Sequence, residues 1–168
     1  QRQLGFFPAD SRFQIGINVA PSHLRQGELL KDLNLFWYSA NPVQQLVIEI
    51  TERDALQDVD YRMVRELHRR GAKIAIDDFG SGYSNFAYLA QFNANILKID
   101  GTIIKKIATD TNTYQIAAAI NDFAKRLGLQ TVAEFVFDET TNNVVKDLNI
   151  DFAQGYYHAE PLPIEKLP

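Results

Sequence analysis

Short apolar runs recur along the chain, and segments with helical spacing separate most of them. The runs are Ile15 to Val19, Leu46 to Ile50, Ile74 to Ile76, Ile96 to Ile99, Thr131 to Ala133, and Phe152 to Ala153. Most are rich in Ile and Val and short enough to be buried strands, the last two being weak when taken alone. Pro21 to Leu33 has its proline near the first turn and apolar Leu24, Leu29, Leu30 and Leu33, which predicts a helix. Val59, Met63 and Leu67 share a helical face, and Gly71 suits a C-terminal stop. Ile116, Ile120, Phe123 and Leu127 predict another apolar face, closed by Gly128. Asp138 is placed to cap a last helix carrying Val144, Val145 and Leu148, and Ile103, Ile104 and Ile107 predict a shorter one. Strand and helix alternate, so a parallel α/β sheet is the economical reading.

Composition narrows the classes. The chain has 168 residues, 46% of them hydrophobic, enough for one domain with a sizeable core. A net charge of −4 argues against an electrostatically driven DNA binder. The absence of cysteine excludes disulfides, thiolate metal sites and thiol nucleophiles. No apolar run is long enough to span a membrane, and no signal peptide is visible. The opening QRQLGFFPADSRF reads like the middle of a domain, so the chain is expected to be a fragment.

Each run ends in or beside a polar residue able to bind or polarise. In order these are Asn18, Glu49 with Glu52 beyond it, Asp77 with Asp78, Lys98 with Asp100, Glu134, and Gln154. In a barrel of parallel strands the C-terminal strand ends converge on one mouth, where active sites lie. Asn18, Glu49, Asp77 and Asp78 are hard oxygen ligands, suited to Mg²⁺ or Mn²⁺. Adjacent aspartates on a strand face opposite ways, but where the backbone turns both carboxylates can reach one site. One carboxylate can then bridge two cations about 3.5–4 Å apart, the two-metal arrangement of phosphodiester hydrolysis. Lys98 would orient the attacking water or balance phosphate charge, and Glu134 would bind the second metal or act as general base.

Beyond the aspartates, the loop Phe79 to Phe86 is polar, glycine-rich and aromatic, and is placed to close over a substrate. Its members Phe79, Gly80, Ser81, Gly82, Tyr83 and Ser84, with Asp78, are substrate-contact candidates, as are Tyr156 and Pro161 near the mouth. A kinase reading of Asp78-Phe79-Gly80 is poor, because no partner kinase segments accompany it.

The segments IGINVAPSHL, LVIEITE, IAIDDFGSGYSNFAYL, NILKID, TVAEFV and DFAQGYY, in this order, resemble the EAL-domain family of cyclic di-GMP phosphodiesterases from about Phe13 to Pro163. The resemblance implies a modified TIM (β/α)8 barrel with one antiparallel strand. Residues 1–168 would be its C-terminal part, about six βα units, with the N-terminal strands outside this chain. It implies hydrolysis of cyclic di-GMP to linear pGpG with two Mg²⁺ or Mn²⁺ ions, in bacterial second-messenger signalling. Carried over by position, Asn18, Glu49 and Asp77 look like ligands of the first metal, and Asp77, Asp78 and Glu134 of the second. Lys98 looks like the water-orienting residue, Glu52 like the glutamate holding the Phe79–Phe86 loop, and Gln154 like the glutamine near the metals. A homodimer, sensor or GGDEF domains in the parent protein, and a cytoplasmic location are further implications.

Three departures accompany the likeness. The Glu-Ala-Leu strand belongs upstream of residue 1. AEFVF stands where the family usually has AEGVE, so Phe135 replaces a glycine and Phe137 a carboxylate. Arg53 replaces a small polar residue. These leave open a catalytically impaired domain that acts as a cyclic di-GMP receptor or regulatory partner.

Overall fold

The computed structural model describes residues 14–25, 27–37, 46–51, 58–82, 93–163 and 166, with the backbone alone at 28, 34–37, 58 and 59. Strands and helices alternate as the apolar pattern predicts. The elements are β1 (Ile15–Asn18), α1 (Pro21–Arg25), α2 (Glu28–Trp37), β2 (Leu46–Thr51), α3 (Asp58–Arg69), β3 (Lys73–Phe79), β4 (Ile96–Ile99), α4 (Gly101–Ile104), α5 (Thr111–Arg126), β5 (Gln130–Ala133), α6 (Glu139–Asp147) and β6 (Phe152–Ala153). The strands form one six-stranded sheet in sequence order, and every neighbouring pair is parallel. The antiparallel strand of the family barrel is not among them.

Consecutive parallel strands need crossovers of one hand, which stacks the helices on one face of the sheet. Ile48, Ile50, Ile74, Ile76, Leu97 and Ile99 point to that face and are almost completely buried with α-helical partners such as Leu24, Leu67 and Ala124. Each buried Ile or Leu of this kind contributes about 1.5–3 kcal/mol. The opposite face carries a thinner apolar layer of Val47, Ala75 and Ile96, with Val132 packed on it. Strand alternation therefore sends Val47 and Glu49 one way and Ile48 and Ile50 the other.

Two helical expectations are corrected. Pro21 to Leu33 is two helices, because Gly27 adopts a left-handed backbone (φ 66°) that breaks the run. On α5, Ile120 is buried, but Ile116 and Leu127 lie 51% and 43% exposed at the ends of the stripe. Ala117 and Ala124 make the contact instead, since small side chains let the helix sit close to the sheet.

Side-chain bonds fix the ends of these elements. Asp138 caps α6 by accepting from Thr141 N at 2.7 Å, as predicted. Asp60, fully buried on α3, is bound by Arg25 of α1, with Nε 3.1 Å from Oδ2. Around β5, the Thr131 hydroxyl donates to Asn121 Oδ1 at 2.7 Å, while Asn121 Nδ2 donates to Leu148 O at 2.8 Å. Thr131 N donates to Asp151 Oδ2 at 2.7 Å, and Lys125 pairs with the same aspartate. This network sets α5, β5 and the start of β6 in one register.

Candidate active site

The parallel register brings the polar ends of the strands to one edge. Asn18 on β1 stands beside Glu49 on β2, and Lys98 on β4 beside Val132 on β5. The ladder continues past the last strands: Glu134 N donates to Ile99 O at 3.2 Å and Gln154 N to Ala133 O at 2.8 Å. Val136 N then donates to Gln154 O at 3.0 Å, which ties the loops after β5 and β6 together. Gly155 is required at that crossing, because a Cβ there would lie 2.1 Å from the Val136 carbonyl oxygen.

The adjacent aspartates are reconciled by a bulge. Ile76 pairs with Leu97 and Phe79 with Ile99, so Asp77 and Asp78 together oppose the single residue Lys98. Asp78 takes φ 56°, a left-handed conformation that aspartate tolerates better than most residues. Asp77 Oδ1 accepts from the Asp78 backbone N–H at 3.0 Å. As a result, carboxylate oxygens of Asp77, Asp78 and Glu134 lie within 4.8 Å of one another.

Lys98 sits in the middle of this cluster. Its Nζ is 2.8 Å from Glu49 Oε2, 2.8 Å from Asp77 Oδ1 and 2.9 Å from Glu134 Oε1. Burial works to lower the Lys98 pKa, but bonds to Asp77, Glu49 and Glu134 outweigh it and hold the ammonium well above its usual range. Glu134 is shifted the other way. Burial pushes its carboxyl up to about 7, Lys98 opposes the shift, and the charges of Asp77 and Asp78 add to it. Among the described residues, Glu134 Oε2 is buried with no hydrogen-bond partner. A buried oxygen without a donor, on a carboxylate that converges with two others, fits a divalent cation with hard oxygen ligands.

The remaining sequence candidates divide by position. Gln154 and Glu134 line a cavity of about 760 Å³ together with Tyr156 and Pro161. Gln154, Glu49 and Lys98 also line a smaller one of about 170 Å³ on the thin-layer face of the sheet. Phe79 departs from the loop it was grouped with: the bulge turns its ring into the hydrophobic core, fully buried, where it cannot face a ligand. Gly80 likewise lies against Ile103, whereas Gly82 is exposed, with no described residue within 4 Å of where a Cβ would stand. Glu52, Arg53, Tyr83 and Ser84 lie outside the described residues. Lys105 and Phe135 also line the larger cavity. Periodicity carries no sign of their contact. Only the position of Phe135, directly after Glu134, marks it.

Comparison with known proteins bears on the family and the fold. The EAL domain family model matches residues 2–161. The chain is 46% identical over 167 residues to the probable cyclic di-GMP phosphodiesterase PdeD of Escherichia coli K12, covering 99% of this chain but 31% of that protein. It spans about a third of that relative's length. Among solved structures it resembles the PaMucR phosphodiesterase in complex with c-di-GMP, with a TM-score of 0.85, 31% identity, and coverage of 99% of this chain and 68% of the other. It also resembles the manganese and cyclic di-GMP complex of Klebsiella pneumoniae BlrP1, with a TM-score of 0.75, 28% identity, and coverage of 85% and 38%. With a curled parallel sheet matching these structures, acidic strand ends at one edge and a family match over nearly its whole length, the chain belongs to the EAL-domain family.

Proposed function

We propose that the chain is the C-terminal part of an EAL-type domain, residues 1–168, that hydrolyses cyclic di-GMP to linear pGpG with two Mg²⁺ or Mn²⁺ ions. The observation that carries this is the convergence of Asp77, Asp78 and Glu134 on one point, joined to Glu49 through Lys98. Asn18, Glu49 and Asp77 would hold one ion, and Asp77, Asp78 and Glu134 the other. Bound, the ions supply Lewis-acid charge that favours hydrolysis of a phosphodiester.

The protein's own groups do the rest. The Lys98 ammonium, already aimed at the carboxylates, orients water toward the phosphorus. Water adds to the phosphorus, one ring P–O ester bond breaks, and the departing ribose oxygen takes up a proton. Where Glu134 is not spent as a ligand of the second ion, it is the general base that takes the proton water gives up. Gln154 at the cavity wall helps place the water, and Glu52 holds the substrate-side loop. Asp78, Ser81, Gly82, Tyr83 and Ser84 border the substrate from one side, Tyr156 and Pro161 from the other.

The relatives' names support the substrate, and the larger cavity beside Glu134 supports its size. A homodimer, sensor or GGDEF domains in the parent protein, and a cytoplasmic location belong to the same reading. No helix among the described residues is long and apolar enough to cross a membrane. A receptor without turnover is the second reading, favoured by Phe137, an exposed apolar ring in the cavity where the family usually has a carboxylate.

Incubation with cyclic di-GMP and Mg²⁺ or Mn²⁺, followed by chromatography, separates the two. Linear product that disappears with a chelator supports the enzyme. Nucleotide binding without product supports the receptor.

A further inference from the structure

The residue after Glu134 is in a costly conformation. Phe135 has φ 55°, a left-handed backbone that is unfavourable for a residue with a Cβ. Strain of this kind persists only where the surroundings hold it. Here the hold comes from α4. The Phe135 ring lies against Gly101, where any side chain would collide, since a Cβ would come within 2.3 Å of the ring Cδ2. Lys105, one turn further along and bonded from its N–H to Gly101 O, sets its ammonium 4.3 Å from the ring centroid. Gly101 and Lys105 both meet the ring from the α4 side. The ring nevertheless stays 55% exposed, and it borders the cavity that Glu134 opens into. Phe137 and Tyr156, 52% and 70% exposed, border the same space.

We propose that Phe135, clamped by Gly101 and Lys105, is a specificity-determining platform on which one purine base of the substrate stacks while the scissile phosphodiester lies at the carboxylate cluster. The inference rests on the function proposed above and names a binding element for it. An aromatic ring held rigid beforehand loses little freedom on binding, and an ammonium 4.3 Å from its centroid strengthens the hold. An apolar, aromatic wall continuous with an acidic, cation-suited corner matches a ligand that is planar and apolar at one end and anionic at the other.

The test is calorimetric titration of the purified protein with cyclic di-GMP in Ca²⁺, with Mn²⁺ affinity measured in parallel. Phe135→Gly suits the left-handed backbone, so this variant folds. Its cyclic di-GMP affinity is expected to fall by about 5- to 150-fold with Mn²⁺ affinity unchanged, while Phe135→Tyr keeps the affinity of the wild type. Lys105→Gln, which loosens the clamp, is expected to weaken binding by about 2- to 5-fold. Nucleotide binding by Phe135→Gly as tight as wild type overturns the platform and leaves the proposed function standing. Loss of Mn²⁺ affinity alongside nucleotide affinity also overturns it, since Phe135 would then only support Glu134. Wild-type protein that binds no cyclic di-GMP removes both readings together.

Discussion

Lys98 Nζ lies 2.8 Å from Asp77 Oδ1, and this pair sits at the one place where two residues of β3 oppose a single residue of β4. The bulge and the ion pair are parts of one device. The bulge brings Asp78 round beside Asp77, and the lysine offsets the repulsion that results. Glu49 and Glu134 join from either side, so the buried Lys98 ammonium pairs with three carboxylates, and Asp78 lies beside two of them.

Removing the cation should therefore expose the repulsion. Lys98→Met is expected to lower the stability of the metal-free protein by about 3 kcal/mol, because it leaves buried carboxylates without their partner. Urea denaturation at pH 8 checks this. Mn²⁺ should restore part of the loss, and the difference should shrink at pH 5, where the carboxyls take up protons.

The proposed metal site uses the charge of Asp78, while the backbone there only has to tolerate a left-handed conformation. Asparagine also accepts a left-handed conformation, so Asp78→Asn should melt within a few degrees of wild type yet bind Mn²⁺ at least about tenfold more weakly. Asp78→Val should instead lose about 1–3 kcal/mol of stability, since a β-branched residue is strained at φ 56°. Thermal melts and metal titration of both variants separate the two effects.

Glu134 sets a pH dependence. Its carboxyl is raised to about 7, above the ordinary 4.5, chiefly by burial. Below that pH a metal must displace a proton, so Mn²⁺ affinity should rise by up to about tenfold per pH unit as pH approaches 7 and level off above it. Stability of the metal-free fold runs the opposite way. Between 4.5 and about 7 the folded state holds a proton that the unfolded chain has lost. Stability therefore falls as pH rises through this window, by at most about 1.4 kcal/mol per unit. Titrations and melts across the same buffers give both slopes.

Thr131 acts on the fold away from the chemistry. Thr131→Val leaves Asn121 Oδ1 without its donor in a buried position and should cost about 1–3 kcal/mol in denaturant.

Much of this was legible because chemistry and strand ends coincide. Glu49 and Lys98 lie near the ends of apolar runs, Asp77 and Glu134 directly after them, and parallel strands place such ends together. The bulge was not legible, since nothing in Asp77-Asp78 says which residue takes a positive φ. Phe79 was misplaced for the same reason: plain alternation does not reveal that the extra residue turns its ring to the core. The α5 stripe was right in period and wrong at its ends, because Ala117 and Ala124 carry the close contact and small residues leave little trace in an apolar pattern. The Gly101–Phe135–Lys105 contact joins Phe135 to residues on α4 far from it in sequence, and only the folded register brings them together.

The most direct measurement is a Mn²⁺ titration followed by electron paramagnetic resonance, with wild type beside Asp77→Asn. Two ions per chain, close enough to broaden each other's signal and both weakened in Asp77→Asn, is the outcome expected of a shared carboxylate centre. Ions that bind far apart, or that bind Asp77→Asn as tightly as wild type, would contradict it.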